Sequence, residues 1–107
     1  MARYFRIVGY DPPREEDFLS NRARGLAPRG IELRVPRLHD GISLWDSLAG
    51  ARRRAQEFPL LGEWIAEIEI EDRGPCRVEP TLARGHFTGF GIPADFLARR
   101  VAVHVAR

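Results

Sequence analysis

The chain is expected to fold as a single α+β domain, residues 1–107, in which a mainly antiparallel, half-curled sheet is gripped by two main helices. Three stretches predict it. "EWIAEIEIE", Glu63 to Glu71, alternates with period two: Trp64, Ala66, Ile68 and Ile70 face one side, and Glu67, Glu69 and Glu71 face the other. One dry face and one wet face is the habit of an antiparallel strand, not of a parallel strand covered on both sides. "DGISLWDSLAGARRRAQEF", Asp40 to Phe58, changes from strand-like alternation to helical spacing in its middle. The last third is a series of short β-rich pieces framed by turn residues, "CRVEPT", "GHFTGFG" and "VAVHV".

The elements follow in order. Tyr4 to Tyr10, "YFRIVGY", is β-branched and aromatic, and apolar on both faces, with Phe5 and Ile7 on one and Tyr4, Val8 and Tyr10 on the other. That suits a central strand covered on both sides. "DPPREEDFLSNRARG" carries a helix-start signature: Asp11 as a cap, prolines in the first turn, and Glu15, Glu16 and Asp17 at the positive end of the dipole. Phe18, Leu19, Arg22 and Ala23 supply its stripe and Gly25 its stop. "LAPRGIELRVPRLH", Leu26 to His39, is a long irregular connection with room for a short strand at Ile31 to Val35; loops of this length in a small domain are often functional or mobile.

Ile42 and Leu44 then share one face of a short strand, with Gly41, Ser43 and Trp45 on the other. Asp46 or Ser47 caps the next helix, whose narrow apolar stripe is Leu48, Ala51, Ala55 and Phe58. Arg52, Arg53 and Arg54 mostly face away from that stripe, as a solvated surface, and Pro59 ends the helix. After the late strands begin, "IPADFLARR" reads as a helical turn or two before the closing strand.

Composition narrows the function classes. With 44% apolar and 30% charged residues the chain has the balance of an ordinary folded protein. The single cysteine, Cys76, excludes an internal disulfide framework and fits a reducing, cytoplasmic setting. No apolar run approaches the ~20 residues of a membrane helix, and no signal-peptide pattern opens the chain, so no membrane association is expected. All 17 basic residues are arginine, yet 15 carboxylates leave a net charge of only +2. Dispersed arginine with abundant Ala, Gly and Pro fits a codon bias better than a nucleic-acid surface, and the best strand's wet face is acidic; nucleic acid is an unlikely partner.

The chemical motifs are few. There is no phosphate-binding glycine loop followed by lysine, no dinucleotide GxGxxG after a strand, and no GxSxG elbow. His39, His86 and His104 lie far apart and lack zinc-type spacing, so no metal is expected. Three features remain. Arg6 sits inside an apolar strand, where a charge must either meet a carboxylate such as Glu79 or reach a cleft that holds an anion. Ser43 stands beside Trp45 on one face, either bonded to backbone or at the rim of a site. Glu79 and His86 lie in the late short strands, His86 next to glycines that leave room for a ligand.

These features fall in an order that resembles the ADP-ribosyltransferase-like fold, including compact bacterial relatives such as RES-domain proteins. "YFRI" stands where that family places its first-strand arginine. "GISLWDSLAGARRRA" is similar to its segment with serine or tyrosine followed by a helix, and "IAEIEI" to a later strand. The resemblance implies that NAD is bound or cleaved. Arg6 would hold phosphate, Ser43 would orient the nicotinamide-side ribose, and Tyr4 or Trp45 would stack on the nicotinamide ring. Glu79 would stabilise the cationic ribose formed on cleavage, or His86 would substitute for part of that work, which makes these two the candidate catalytic residues. The sequence departs from the family there: His86 occupies the place of the late glutamate, and Glu79 lies seven residues upstream. The competing expectation is a non-catalytic nucleotide- or protein-binding module with a degenerate site, which the Arg-rich loop from Arg24 to Arg37 also favours.

Overall fold

A strand that is apolar on both faces belongs inside its sheet, and the first strand lies there. A computed structural model describes residues 2–71, 74–81, 83–92 and 100–107. Its strands are β1 (Ala2–Val8), β2 (Ile42–Trp45), β3 (Trp64–Ile70), β4 (Arg77–Pro80), β5 (His86–Phe90) and β6 (Arg100–Val105). They form one six-stranded sheet in the order β4-β5-β2-β1-β3-β6, and every pairing is antiparallel. The alternating residues of β3 run between β1 and β6, with Ala66, Ile68 and Ile70 at 0–2% exposure. On its other face Glu67 receives Arg3 at 2.7 Å and His104 at 2.9 Å, and these partners hold its carboxyl below the usual range.

Among the described residues one α-helix, α1 (Leu48–Glu57), packs on the sheet. Ser47 is its N-cap, and the Ser47 hydroxyl accepts the Gly50 amide at 3.0 Å. Ala51 and Ala55 are fully buried against Ile65 and Ala106, with Phe5, Ile7, Trp45 and Leu48 around them. The opposite face holds the larger core, in which Val8, Ile42, Leu44, Ala66, Ile68 and Ile70 are joined by Phe18. Phe18 comes from the short 3-10 turn Glu15–Phe18 and is 2% exposed. Among the described residues no helix is long and apolar enough to cross a membrane.

Two expectations about local structure need correction. The second main helix, placed after Asp11, is a 3-10 turn followed by a looser turn through Gly25. Its groups are taken by other partners. The Asp17 carbonyl accepts from Arg6, while the Asp17 carboxylate accepts the amides of Gly9 and Arg14 at 2.8 Å. A guanidinium on that carbonyl competes with the amide that would continue a helical ladder. The short strand placed at Ile31 to Val35 is instead the 3-10 turn Gly30–Leu33, with the Arg29 amide closing on the Glu32 carboxylate at 3.2 Å. The helical turn read in "IPADFLARR" falls largely on residues 93–99, outside the described residues.

The sheet is unevenly zipped. β1 matches β3 over seven registered pairs, from Ala2↔Ile70 to Val8↔Trp64, but meets β2 at one, Phe5↔Trp45. Beyond that pair the two neighbours diverge, and the long connection from β1 to β2 folds over the gap. This opening is where the polar residues gather.

The two alanines predict how α1 responds to added bulk. Ala55→Leu forces extra methylenes into a fully packed contact, which costs about 1–3 kcal/mol. Urea unfolding should show a lower midpoint with an unchanged slope. An unchanged midpoint would mean that α1 is not pressed against the sheet.

Candidate functional site

Arg6 spans the gap between the diverging strands. Its Nε donates to the Asp17 carbonyl at 2.9 Å and its Nη1 donates to the Ser43 carbonyl at 3.0 Å. The guanidinium thus joins β1, the 3-10 turn and β2, standing in for ladder bonds that β1 and β2 do not make. Burial pushes its pKa down to about 10; Asp17 opposes that shift and Arg24 adds to it. Among the described residues these bonds engage two of the five N–H groups of the guanidinium.

Beside it opens a cavity of about 260 Å³. One wall is the face of β2 and β5 that carries Ser43, Trp45, His86 and Thr88. This wall follows from register: Ser43 lies opposite Thr88, and Trp45 opposite His86, so alternate residues of both strands point the same way. The Trp45 and His86 rings meet edge to face, with centroids 4.9 Å apart. The other walls come from Arg54 on α1 and from the connection before β2, which contributes Arg24, Arg29, Glu32 and Leu38. Gly41 is required at the rim, because a Cβ there would run into the Thr88 side chain.

His86 is held tightly. Its Nδ1 lies 3.1 Å from the Thr81 carbonyl and 3.0 Å from the Thr81 hydroxyl, and that hydroxyl meets Thr88 Oγ1 at 2.7 Å. A carbonyl only accepts, so Nδ1 carries the hydrogen and the neutral ring leaves Nε2 as its lone-pair nitrogen. Burial lowers the pKa of His86 against the contrary pull of the Thr81 carbonyl, and the cations Arg54 and Arg6 lower it further. Neutral imidazole is therefore the favoured form at physiological pH.

The charge balance of the cavity is lopsided. Arg6, Arg24, Arg29 and Arg54 line it, and Glu32 is the one carboxylate among the described lining residues. Glu32 is already engaged by Asn21 Nδ2 at 3.0 Å and by the Arg29 amide. The Arg24 and Arg29 guanidinium groups have neither an ion-pair nor a hydrogen-bond partner among the described residues. Arg54 lies over the Phe58 ring at 4.1 Å, which leaves its charge uncompensated by any carboxylate there.

Of the residues that the sequence nominated, Arg6, Ser43, Trp45 and His86 all line this cavity. Glu79 and Tyr4 do not. Glu79 lies on β4 and pairs with Arg37 at 2.6 Å, on a half-exposed surface. Tyr4 packs on the large core, edge-on to Phe87 with centroids 5.5 Å apart. Arg6 meets carbonyls, and among the described residues neither Glu79 nor another carboxylate is its direct partner. Arg24, Arg29, Glu32 and Arg54 had no place in the sequence-derived site. A signal existed for Arg54, which follows Ala51 by three positions and so borders the buried stripe of its helix. Arg24 and Arg29 sit at or within the Arg-rich loop, but nothing local tells which loop arginines turn inward. No group of three or more His, Cys, Asp and Glu side chains among the described residues is arranged to hold a metal.

No family model matches the chain, and no solved structure matches it.

The buried neutral state of His86 has a consequence for stability. Its folded pKa lies below the unfolded value of 6.5, so the unfolded chain takes up the proton first as pH falls. Stability is full above 6.5 and declines below it. Replacing the ring by Gln removes this contribution, so wild type should lose more stability than His86→Gln as pH falls below 6.5, in urea titrations at several pH values. Parallel pH profiles would contradict a buried neutral His86.

Proposed function

We propose that the protein binds a phosphorylated small molecule of the nucleotide class, NAD among them, in the arginine-lined cavity, and does not cleave it. The observation that carries this reading is the set of four arginines, Arg6, Arg24, Arg29 and Arg54, facing one cavity with a single, already engaged carboxylate. Like charges gathered in one concave space repel one another, and an anion between them turns that repulsion into attraction. Guanidinium forks match phosphate oxygens in pairs, which compact ammonium groups do not. Trp45 offers an aromatic surface next to the charged groups, the combination a nucleotide uses for its ring and its phosphate.

Size and chemistry both favour binding over cleavage. The cavity of about 260 Å³ takes a phosphate with its sugar or one ring, and leaves the rest of a dinucleotide outside. Breaking the bond between ribose and nicotinamide needs a carboxylate beneath the developing cation. Glu79 is paired with Arg37 away from the cavity, and Glu32 is committed to Asn21 and the Arg29 amide. His86 neutralises no cation. The ADP-ribosyltransferase-like resemblance therefore supports a binding module with a degenerate site.

Arg24 and Arg29 provide the cleanest test, since both are exposed and neither guanidinium has a partner among the described residues. Calorimetric titration with NAD and with pyrophosphate should give micromolar-range binding to the wild type. The Arg24→Ala/Arg29→Ala variant should bind at least about tenfold more weakly with unaltered thermal unfolding. A wild type that binds neither NAD nor pyrophosphate would contradict the reading.

A further inference from the structure

The arginines explain an anion but not a choice among anions. A guanidinium only donates, so four of them would accept phosphate, sulfate or a carboxylate on similar terms. Discrimination must come from a group of different polarity that faces the same space. Ser43 is a rotating hydroxyl, and Thr88 is bonded to the Thr81 hydroxyl. Glu32 is engaged as described. His86 differs from all of these.

Its ring is fixed from three directions. Nδ1–H is bound to the Thr81 carbonyl, the Thr81–Thr88 hydroxyl pair lies against the same nitrogen, and the Trp45 ring abuts one side. The residue is 5% exposed, and among the described residues its hydrogen bonds are made through Nδ1, with none at Nε2. No buried side-chain nitrogen or oxygen among the described residues is both sealed from outside and unpartnered, so Nε2 is reachable from the cavity that His86 lines. A fixed, reachable, lone-pair nitrogen among guanidinium donors is an acceptor waiting for a donor. Protonation would turn it into one more cation, and burial together with Arg54 and Arg6 opposes that form.

Resting on the nucleotide reading above, we propose that His86 determines specificity at this site: its Nε2 accepts a hydrogen bond from a sugar hydroxyl of the phosphorylated ligand. The preferred ligands are then sugar phosphates and ribonucleotides, whose hydroxyl lies next to the arginine-held phosphate. Bare phosphate and deoxygenated analogues bind more weakly. One hydrogen bond to an otherwise unpartnered nitrogen gives a preference of about tenfold.

The test compares AMP with its dideoxy analogue, which keeps base and phosphate but lacks both ribose hydroxyls, by calorimetry on the full chain. Wild type should bind AMP about tenfold more tightly than the analogue. His86→Phe should bind both with the affinity that wild type shows for the analogue. His86→Gln should recover part of the preference, because its side-chain carbonyl offers an acceptor where the ring offered Nε2. Equal affinity of wild type for the two ligands would overturn the role of His86 while leaving nucleotide binding intact, and this comparison needs no variant to fold. A preference that persists in His86→Phe would overturn it as well. Binding of neither ligand would overturn the nucleotide reading, and this inference with it.

Discussion

One guanidinium inserted between two strands governs much of this structure. β1 and β2 are neighbours joined at a single registered pair, Phe5↔Trp45, and Arg6 completes the join by donating to the Ser43 carbonyl. The same side chain reaches the Asp17 carbonyl and so anchors the turn that delivers Phe18 to the core. Hydrogen bonds from a charged donor contribute about 1.5–3 kcal/mol each, enough to offset much of the burial of a charge that keeps its proton. With its pKa near 10, Arg6 remains a cation at neutral pH. Two consequences follow from one residue: the gap stays open as a cavity, and the cavity begins with a positive charge.

The rest of the site amplifies that charge instead of cancelling it. Arg24 approaches closely enough to push the Arg6 pKa down, and Arg54 and Arg6 do the same to His86. A fold built for stability alone would place carboxylates here, and the chain has fifteen of them. They are used elsewhere: Glu67 and Glu69 on Arg3, Glu79 on Arg37, Asp40 on Arg22. Ion pairing on the outside, and cavity arginines without a carboxylate partner among the described residues, are what the proposed anionic ligand would complement. It would also tie the connection carrying Arg24 and Arg29 to the sheet, which couples occupancy to the order of that segment.

How much of this was legible depends on the range of the interactions that decide each element. β3 was read correctly as an antiparallel strand because every second side chain repeats the same preference. Its second face is less wet than the alternation implies: Ile65 is buried against α1, and Glu67 is held by Arg3 and His104. The α1 cap at Ser47 and the buried Ala51 and Ala55 were equally local. The segment after Asp11 was misread as a helix although its dipole signals are strong. Arg6, eleven residues upstream of Asp17, takes the carbonyl that a helix would have used. Part of the candidate site was visible because strand alternation put Ser43 and Trp45 on one face and marked Arg6 as a charge among apolar neighbours. Tyr4 was drawn in by a family pattern and Glu79 by its place in a late short strand, and both stand away from the cavity. Arg24 and Arg29 stayed hidden because irregular backbone carries no period from which to infer the direction of a side chain.

The clamp itself is the claim on which the other readings depend, and amide hydrogen exchange of an Arg6→Lys variant tests it directly. Lysine keeps the positive charge but presents a single ammonium in place of a planar fork that reaches two carbonyls on different elements. The expected result is faster exchange confined to residues 17–41 and to β2, with the β3–β6 half of the sheet protected as in the wild type. Unchanged protection over residues 17–41 would show that the connection and the cavity are held open by something other than Arg6.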